Sequence, residues 1–142
     1  MNNTTRNILV VGGSGFIGSH TADALSQNGY KITILDKIKS SWLRDDQRMI
    51  VGNMMDKNIL DSSMKDIDCV YYFAGIADIG EANSNPYQTI ELNIMGLTKA
   101  LEAAVKNNVK KFIYASTMYV YSSHGSFYRA SKQAAEILIE TY

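Results

Sequence analysis

The chain is short of the residues that staple, stiffen or charge a protein, and each shortage closes off a class of function. It has one cysteine, Cys69, so neither an intrachain disulfide nor a cysteine-based zinc site can form. It has one proline in 142 residues, which excludes collagen-like and proline-rich segments. Lys plus Arg number 14 and Asp plus Glu number 14. A formal charge of zero argues against a general surface for nucleic acid or another polyanion. No apolar run approaches the roughly 18 residues of a membrane span. The opening MNNTTRNILVVGG lacks a signal-peptide pattern, because its apolar run Ile8–Val11 is far shorter than a signal core. A cytoplasmic location follows as the expectation. The two histidines, His20 and His124, are not spaced as a metal pair, and no metal is expected.

What remains is ordinary globular composition, 46% hydrophobic and 20% charged, at the length of one domain. Short β-branched runs alternate with longer helical patterns. Ile8–Val11, Lys31–Leu35, Arg48–Val51, Cys69–Ala74 and Lys111–Ala115 read as strands. Their continuous apolar character suits strands buried on both faces of a parallel sheet. Helices are expected over 15–28 with Gly29 as the stop, over 56–64, over 86–107 and over 126–142. Asn85-Pro86 is the start signal of the third, and Ile90, Ile94, Leu97, Leu101 and Val105 mark its expected buried stripe. The stretch 38–46, which holds the only tryptophan, Trp42, reads as a loop. So does the surround of Asp78 and Glu81. Cys69 is expected in the core, with Met54, Met55 and Met95 as core filler. Strands alternating with helices predict an α/β domain, a doubly wound parallel sheet with helices on both faces.

Four motifs carry chemistry. Gly12, Gly15 and Gly18 sit in GGSGFIGSH, after a buried strand and at the opening of a helix. Glycines there permit the tight turn and let a pyrophosphate approach the backbone, where the free N–H groups of the helix start bind it. Asp36 ends the second strand, 18 positions after Gly18. A carboxylate there can accept from the ribose hydroxyls of an adenosine and would repel a 2′-phosphate, which points to NAD rather than NADP. Tyr128 and Lys132, in YRASK, share one helix face. An ammonium beside a phenol favours the phenolate, a general base for a hydroxyl proton. Ser116-Thr117 directly follow the fifth strand, where an open parallel sheet places its ligands.

These residues together resemble the extended short-chain dehydrogenase/reductase family, the NAD-dependent sugar-nucleotide epimerases and dehydratases. The string GGSGFIGSH, Asp36, FAG at 73–75, NPYQTIELNIMGLTKALEAA, FIYASTMYVY and YRASKQAAE all look like that family, in its order. FAGIADIGEA is similar to the matching segment of UDP-galactose 4-epimerases. The resemblance implies a Rossmann-like sheet in the order 3-2-1-4-5. It implies pyrophosphate binding by Gly12, Gly15 and Gly18, with backbone contacts from Phe16 and Ile17. Asn53 and Met54 would meet the adenine, Phe73, Ala74 and Gly75 would line the cofactor, and Asn93 would face inward from its helix. Thr117, Tyr128 and Lys132 match the catalytic trio, with Lys132 on the nicotinamide ribose.

The sequence departs from the family in places. Asn53 replaces an adenine-site Asp, and Ala77 replaces a lysine common in epimerases. Met118-Tyr119 stand where dehydratases carry an acidic pair, which argues against dehydratase chemistry. Six residues separate Tyr121 from Tyr128, a shortened wall for a substrate mouth. The family implies a chain about twice as long, with a small C-terminal substrate domain that these residues do not include. The leading expectation is the NAD-binding domain of a nucleotide-sugar 4-epimerase, paired as a homodimer through helices 86–107 and 126–142. A dehydrogenase or ketoreductase that releases its ketone, and a non-catalytic dinucleotide-binding module, are the alternatives.

Overall fold

The computed structural model describes residues 6–142. Five parallel strands form one sheet: β1 (Asn7–Val11), β2 (Lys31–Asp36), β3 (Gln47–Val51), β4 (Cys69–Tyr72) and β5 (Lys111–Tyr114). Their order is β3-β2-β1-β4-β5, as the resemblance implies. Register is set from the centre outward, with Val10 opposite Ile34 on β2 and Tyr71 on β4.

The period-2 geometry of a strand sends alternate side chains to opposite faces. Leu9, Val11, Leu35, Val70 and Tyr72 build the core on one face, and Ile8, Val10, Ile32, Ile34 and Cys69 build it on the other. This is why the runs are continuously apolar. The first face is covered by α2 (Lys57–Ser63), α5 (Leu97–Lys106) and α6 (Ser126–Thr141), through Leu60, Leu97, Leu101 and Ala135. The second carries α1 (Phe16–Gln27), through Ala22. Gly29, at φ +82°, ends α1 as its stop signal requires.

Two local elements depart from the sequence reading. The surround of Asp78 and Glu81 is not a loop: it is a short helix, α3 (Ile79–Ser84), whose N-cap Asp78 accepts the Glu81 N–H at 2.8 Å. The expected helix 86–107 is interrupted. It runs as α4 (Pro86–Ile90), a π-helical stretch Glu91–Gly96, and α5. The wider π turn shifts the phase of the residues before it against those after it. Ile90 is therefore exposed rather than part of a continuous stripe, and Val105 is 60% exposed. The buried face of α5 is completed instead by Ala100, Ala103 and Ala104, small residues that carry little hydrophobic signal but let the helix lie close to the sheet. Met95 is 52% exposed and is not core filler, whereas Met54 packs half-buried against the core. Among the described residues no helix is long and apolar enough to cross a membrane.

Candidate active site and cofactor cleft

Of the four glycines in the turn, Gly12, Gly15 and Gly18 are not equally constrained by the fold. Gly12 has φ +81°, and a Cβ on it would fall 2.6 Å from the Ala74 backbone nitrogen. A Cβ on Gly18 would fall 2.3 Å from the Gly12 carbonyl oxygen. Both are demanded by the fold, which brings α1 onto the turn and the turn onto the end of β4. Gly15 is different: its nearest neighbour for a Cβ is the Gly12 oxygen at 3.4 Å, an ordinary contact. The chain itself has room for a side chain at 15, so the fold does not demand glycine there.

Gly15 is also the N-cap of α1, which has no side-chain cap and no acidic residue in its first turn. The first-turn N–H groups of Phe16, Ile17 and Gly18 are thus left for an incoming anion. The Phe16 and Ile17 side chains point to solvent, so their contribution is through the backbone.

Beside this turn lies a cleft of about 480 Å³ along the C-terminal ends of β1 to β4. Gly12, Gly15, Asp36, Asn53, Met54, Phe73, Ala74 and Gly75 all line it. Asp36 is locked in place. One carboxylate oxygen accepts the Ser14 N–H at 3.0 Å and the other the Ile38 N–H at 3.1 Å, and each keeps lone-pair capacity for a ribose hydroxyl. Asn53 Oδ1 accepts the Met55 N–H at 2.9 Å, so the acceptor that replaces the family's Asp already serves its own turn. Met54 is seated by the Tyr72 hydroxyl, 3.1 Å from its sulfur, and by Gly96, where a Cβ would come within 2.6 Å of its methyl. Lys99 Nζ donates to the Met55 carbonyl at 2.9 Å and ties the same loop to α5. A glycine cradle, a fixed carboxylate and an apolar wall fit a dinucleotide.

Thr117, Tyr128 and Lys132 do not line this cleft. They gather at the end of β5 and on the first turns of α6. Lys132 is 9% exposed, and its Nζ donates to the Ala115 carbonyl at 2.8 Å. The ammonium sits 4.5 Å from the Tyr114 ring centroid and 5.7 Å from that of Tyr128. Burial opposes the charged form and pulls the lysine down to about 8. Tyr128 meets Tyr119 edge-to-face at 6.4 Å. Thr117 Oγ1 accepts the Tyr119 N–H at 3.3 Å, which leaves its O–H to donate. Ser116 instead donates to the Glu136 carboxylate, and this separates the roles of the adjacent hydroxyls.

Asn93 joins the two regions. It is 3% exposed in the middle of the π stretch. Its Oδ1 accepts the Ile76 N–H at 2.7 Å, and its Nδ2 donates to the Ile76 carbonyl at 2.9 Å and to Ser131 Oγ at 3.0 Å. Ser131 in turn donates to the Tyr128 carbonyl at 2.7 Å. A chain of bonds therefore runs from the segment after β4, which lines the cleft, to the helix turn carrying Tyr128 and Lys132. Asn93 faces inward as the resemblance implies, but both of its N–H donors are engaged within the protein. Gly75, at φ +139°, lets the amide approach, since a Cβ there would meet Asn93 Oδ1 at 2.5 Å.

The sequence reading passed over three further residues. Ser131, the third residue from Tyr128 in YRASK, had as its signal only its place on the buried side of the helix. Tyr114 is held by the core and by Lys132, and its buried hydroxyl has no partner among the described residues. Burial, with Tyr128 and Glu136 nearby, keeps that phenol well above the ordinary range. Trp42 lines the cleft, although its segment is a loop as expected. His20 and His124 are exposed.

The comparisons agree with this geometry. The model of the NAD dependent epimerase/dehydratase family matches residues 8–142. A UDP-glucose 4-epimerase of Yersinia pestis is 36% identical over 126 residues, covering 80% of this chain and 37% of that protein. A bifunctional UDP-glucose 4-epimerase and UDP-xylose 4-epimerase of Pisum sativum is 31% identical over 135 residues, covering 83% and 38%. The crystal structure of UDP-glucose 4-epimerase from Brucella ovis in complex with NAD matches with a TM-score of 0.90 at 28% identity, over 97% of this chain and 48% of that one. The chain spans well under half the length of the Yersinia pestis and Pisum sativum relatives. With the glycine turn, the Asp36 cleft and the Thr117–Tyr128–Lys132 cluster on one sheet, and a family model matching almost the whole chain, the protein belongs to the NAD-dependent epimerase/dehydratase family.

Proposed function

We propose that residues 1–142 form the cofactor domain, with the catalytic trio, of a sugar-nucleotide 4-epimerase working through a transient keto-sugar. One observation carries the reading: the dinucleotide-sized cleft and the buried Lys132 beside Tyr128 lie on one sheet, joined by the Asn93 bonds. NAD, when bound, supplies a reversible hydride acceptor. Gly12, Gly15, Phe16, Ile17 and Gly18 would hold its pyrophosphate, Asp36 its adenosine ribose, and Asn53, Met54, Phe73, Ala74 and Gly75 its flanks. Asn93 acts through Ile76 and Ser131 as a positioning residue. Thr117 donates its O–H to the sugar hydroxyl and orients it. Tyr128 accepts the proton of that hydroxyl. Lys132 places a cation against the ring that carries the negative charge until the proton arrives, and its remaining N–H donors serve the nicotinamide ribose. That its relatives are UDP-glucose 4-epimerases supports a nucleotide-sugar substrate. Exposed Ile90, Met95, Val105, Phe127 and Ile137 support pairing of two copies through helices 86–107 and 126–142.

The test is a chimera in which residues 1–142 replace the matching part of the Yersinia pestis relative. It is expected to bind NAD and interconvert UDP-galactose and UDP-glucose, and Tyr128→Phe is expected to lower turnover about 10²–10⁴-fold with NAD affinity little changed. A folded, NAD-binding chimera without epimerisation, or with full turnover in Tyr128→Phe, overturns the reading.

A further inference from the structure

The segment between β2 and β3 is pinned on both sides of Trp42. Ser14, in the glycine turn, donates from its hydroxyl to the Ile38 carbonyl at 2.6 Å. Ser40 is buried, its N–H reaching the Met49 sulfur at 3.3 Å and its hydroxyl accepting the Trp42 N–H at 3.2 Å. Leu43 packs against the core, and Arg44 N–H donates to Gln47 Oε1 at 3.3 Å. The residues flanking Trp42 are thus seated on the protein, while the indole is 71% exposed and lines the cofactor cleft together with Asp36 and Asn53. A large aromatic face held by a fixed backbone on a cleft wall is a stacking platform.

Its position selects the partner. The loop joins β2 to β3 at one end of the sheet, whereas Thr117, Tyr128 and Lys132 lie at the opposite end, with β5 and α6. Asp36, immediately before the loop, is the ribose-holding carboxylate. On the cofactor reading, a base attached to that ribose would lie within the part of the cleft lined by Asp36, Asn53, Met54 and Trp42. We infer that Trp42 is an adenine-binding residue, its indole stacking on the purine of the bound dinucleotide against the Asn53–Met54 wall. The inference rests on the cofactor reading above and adds the residue that holds the base.

Because the chain has one tryptophan, its fluorescence reports this residue alone. The 142-residue chain is titrated with NAD, ADP-ribose, AMP and nicotinamide mononucleotide, with calorimetry run in parallel. Quenching is expected with NAD, ADP-ribose and AMP, saturating with the calorimetric isotherm, and is not expected with nicotinamide mononucleotide. Trp42→Ala should weaken NAD and ADP-ribose about 5- to 150-fold, the range of one base–aromatic stack. Trp42→Phe should recover most of that loss, and neither variant should change the unfolding midpoint. Calorimetric saturation with unchanged fluorescence, equal quenching by nicotinamide mononucleotide, or parental NAD affinity in Trp42→Ala each overturns the inference and leaves the cofactor reading standing. Absence of both heat and quenching with every adenosine ligand overturns the two together.

Discussion

Replacing Gly15 and Gly18 separately by alanine tests whether the turn is built for its own chain or for a ligand. An alanine in a helix is ordinarily about 1 kcal/mol more favourable than glycine. At Gly18 the sign should reverse. The new Cβ would stand 2.3 Å from the Gly12 oxygen and 2.8 Å from the Gly13 Cα, both backbone atoms that no rotamer change can move aside. Overpacking of this kind costs about 1–3 kcal/mol and sometimes more, and contacts this short belong at the upper end. A net loss of about 2 kcal/mol remains after the helix gain, a sizeable part of the roughly 7–20 kcal/mol expected for a domain of this length. At Gly15 the backbone is extended, with φ −73° and ψ 171°, and the Cβ would make only an ordinary contact, 3.4 Å from the Gly12 oxygen. The weaker N-cap preference of alanine and the lower entropy of the unfolded chain roughly cancel, so stability should stay within about 0.5 kcal/mol. The same methyl occupies the approach to the α1 N-terminus, and NAD affinity should fall at least about tenfold. Urea unfolding and calorimetric NAD titration of the two variants measure both quantities. Gly15→Ala unfolding as readily as Gly18→Ala, or binding NAD like the parent, would refute the reasoning.

Asn93→Ala leaves the Ile76 N–H and carbonyl buried without their partner. At about 1–3 kcal/mol for each unsatisfied group, a loss of about 2–6 kcal/mol is expected from urea unfolding, and a loss under about 1 kcal/mol removes the positioning role. Lys132 carries a pH signature. Its folded value of about 8 lies below the ordinary 10.5, so between these values the unfolded chain binds more protons and stability rises with pH. The burial cost is complete below pH 8 and relieved as pH approaches 10.5, by at most about 3 kcal/mol. Urea midpoints of Lys132→Met should lack that rise, and parallel pH profiles for the two proteins contradict the burial account. Asp36→Asn removes the charge and keeps one acceptor, so preference for NAD over NADP should shrink about 5- to 150-fold by calorimetry. An unchanged preference means that Asp36 does not face the 2′ position.

Strands and the glycine turn were legible in the sequence because their causes are local, whereas the sheet order followed from the family resemblance. A β-branched run between polar boundaries reports burial on both faces, and the glycine spacing reports how closely backbone must approach backbone. Asp36 was found because it ends a strand beside that turn. Tyr128 and Lys132 are candidates because a four-residue helical spacing places both on one face and because the neighbouring motifs give that spacing its meaning.

Other features depended on groups brought together from distant parts of the chain. The π stretch is bonded through Asn93 to Ile76, 17 positions away, and to Ser131, 38 positions away, and no periodicity within 86–107 contains either partner. Those bonds, and the alanine face of α5, leave Ile90 and Val105 in solvent against the hydrophobic pattern. Trp42 was a loop tryptophan until Ser40 and Leu43 were seated on the protein and its indole was left on the cleft wall. Lys132 reads as a charged helix residue, and its burial became tolerable only when the Ala115 carbonyl and the Tyr114 ring met its ammonium. A sequence encodes the period and steric needs of each element, but the burial of a polar or charged group is decided by the partner it finds, and that partner comes from the tertiary fold.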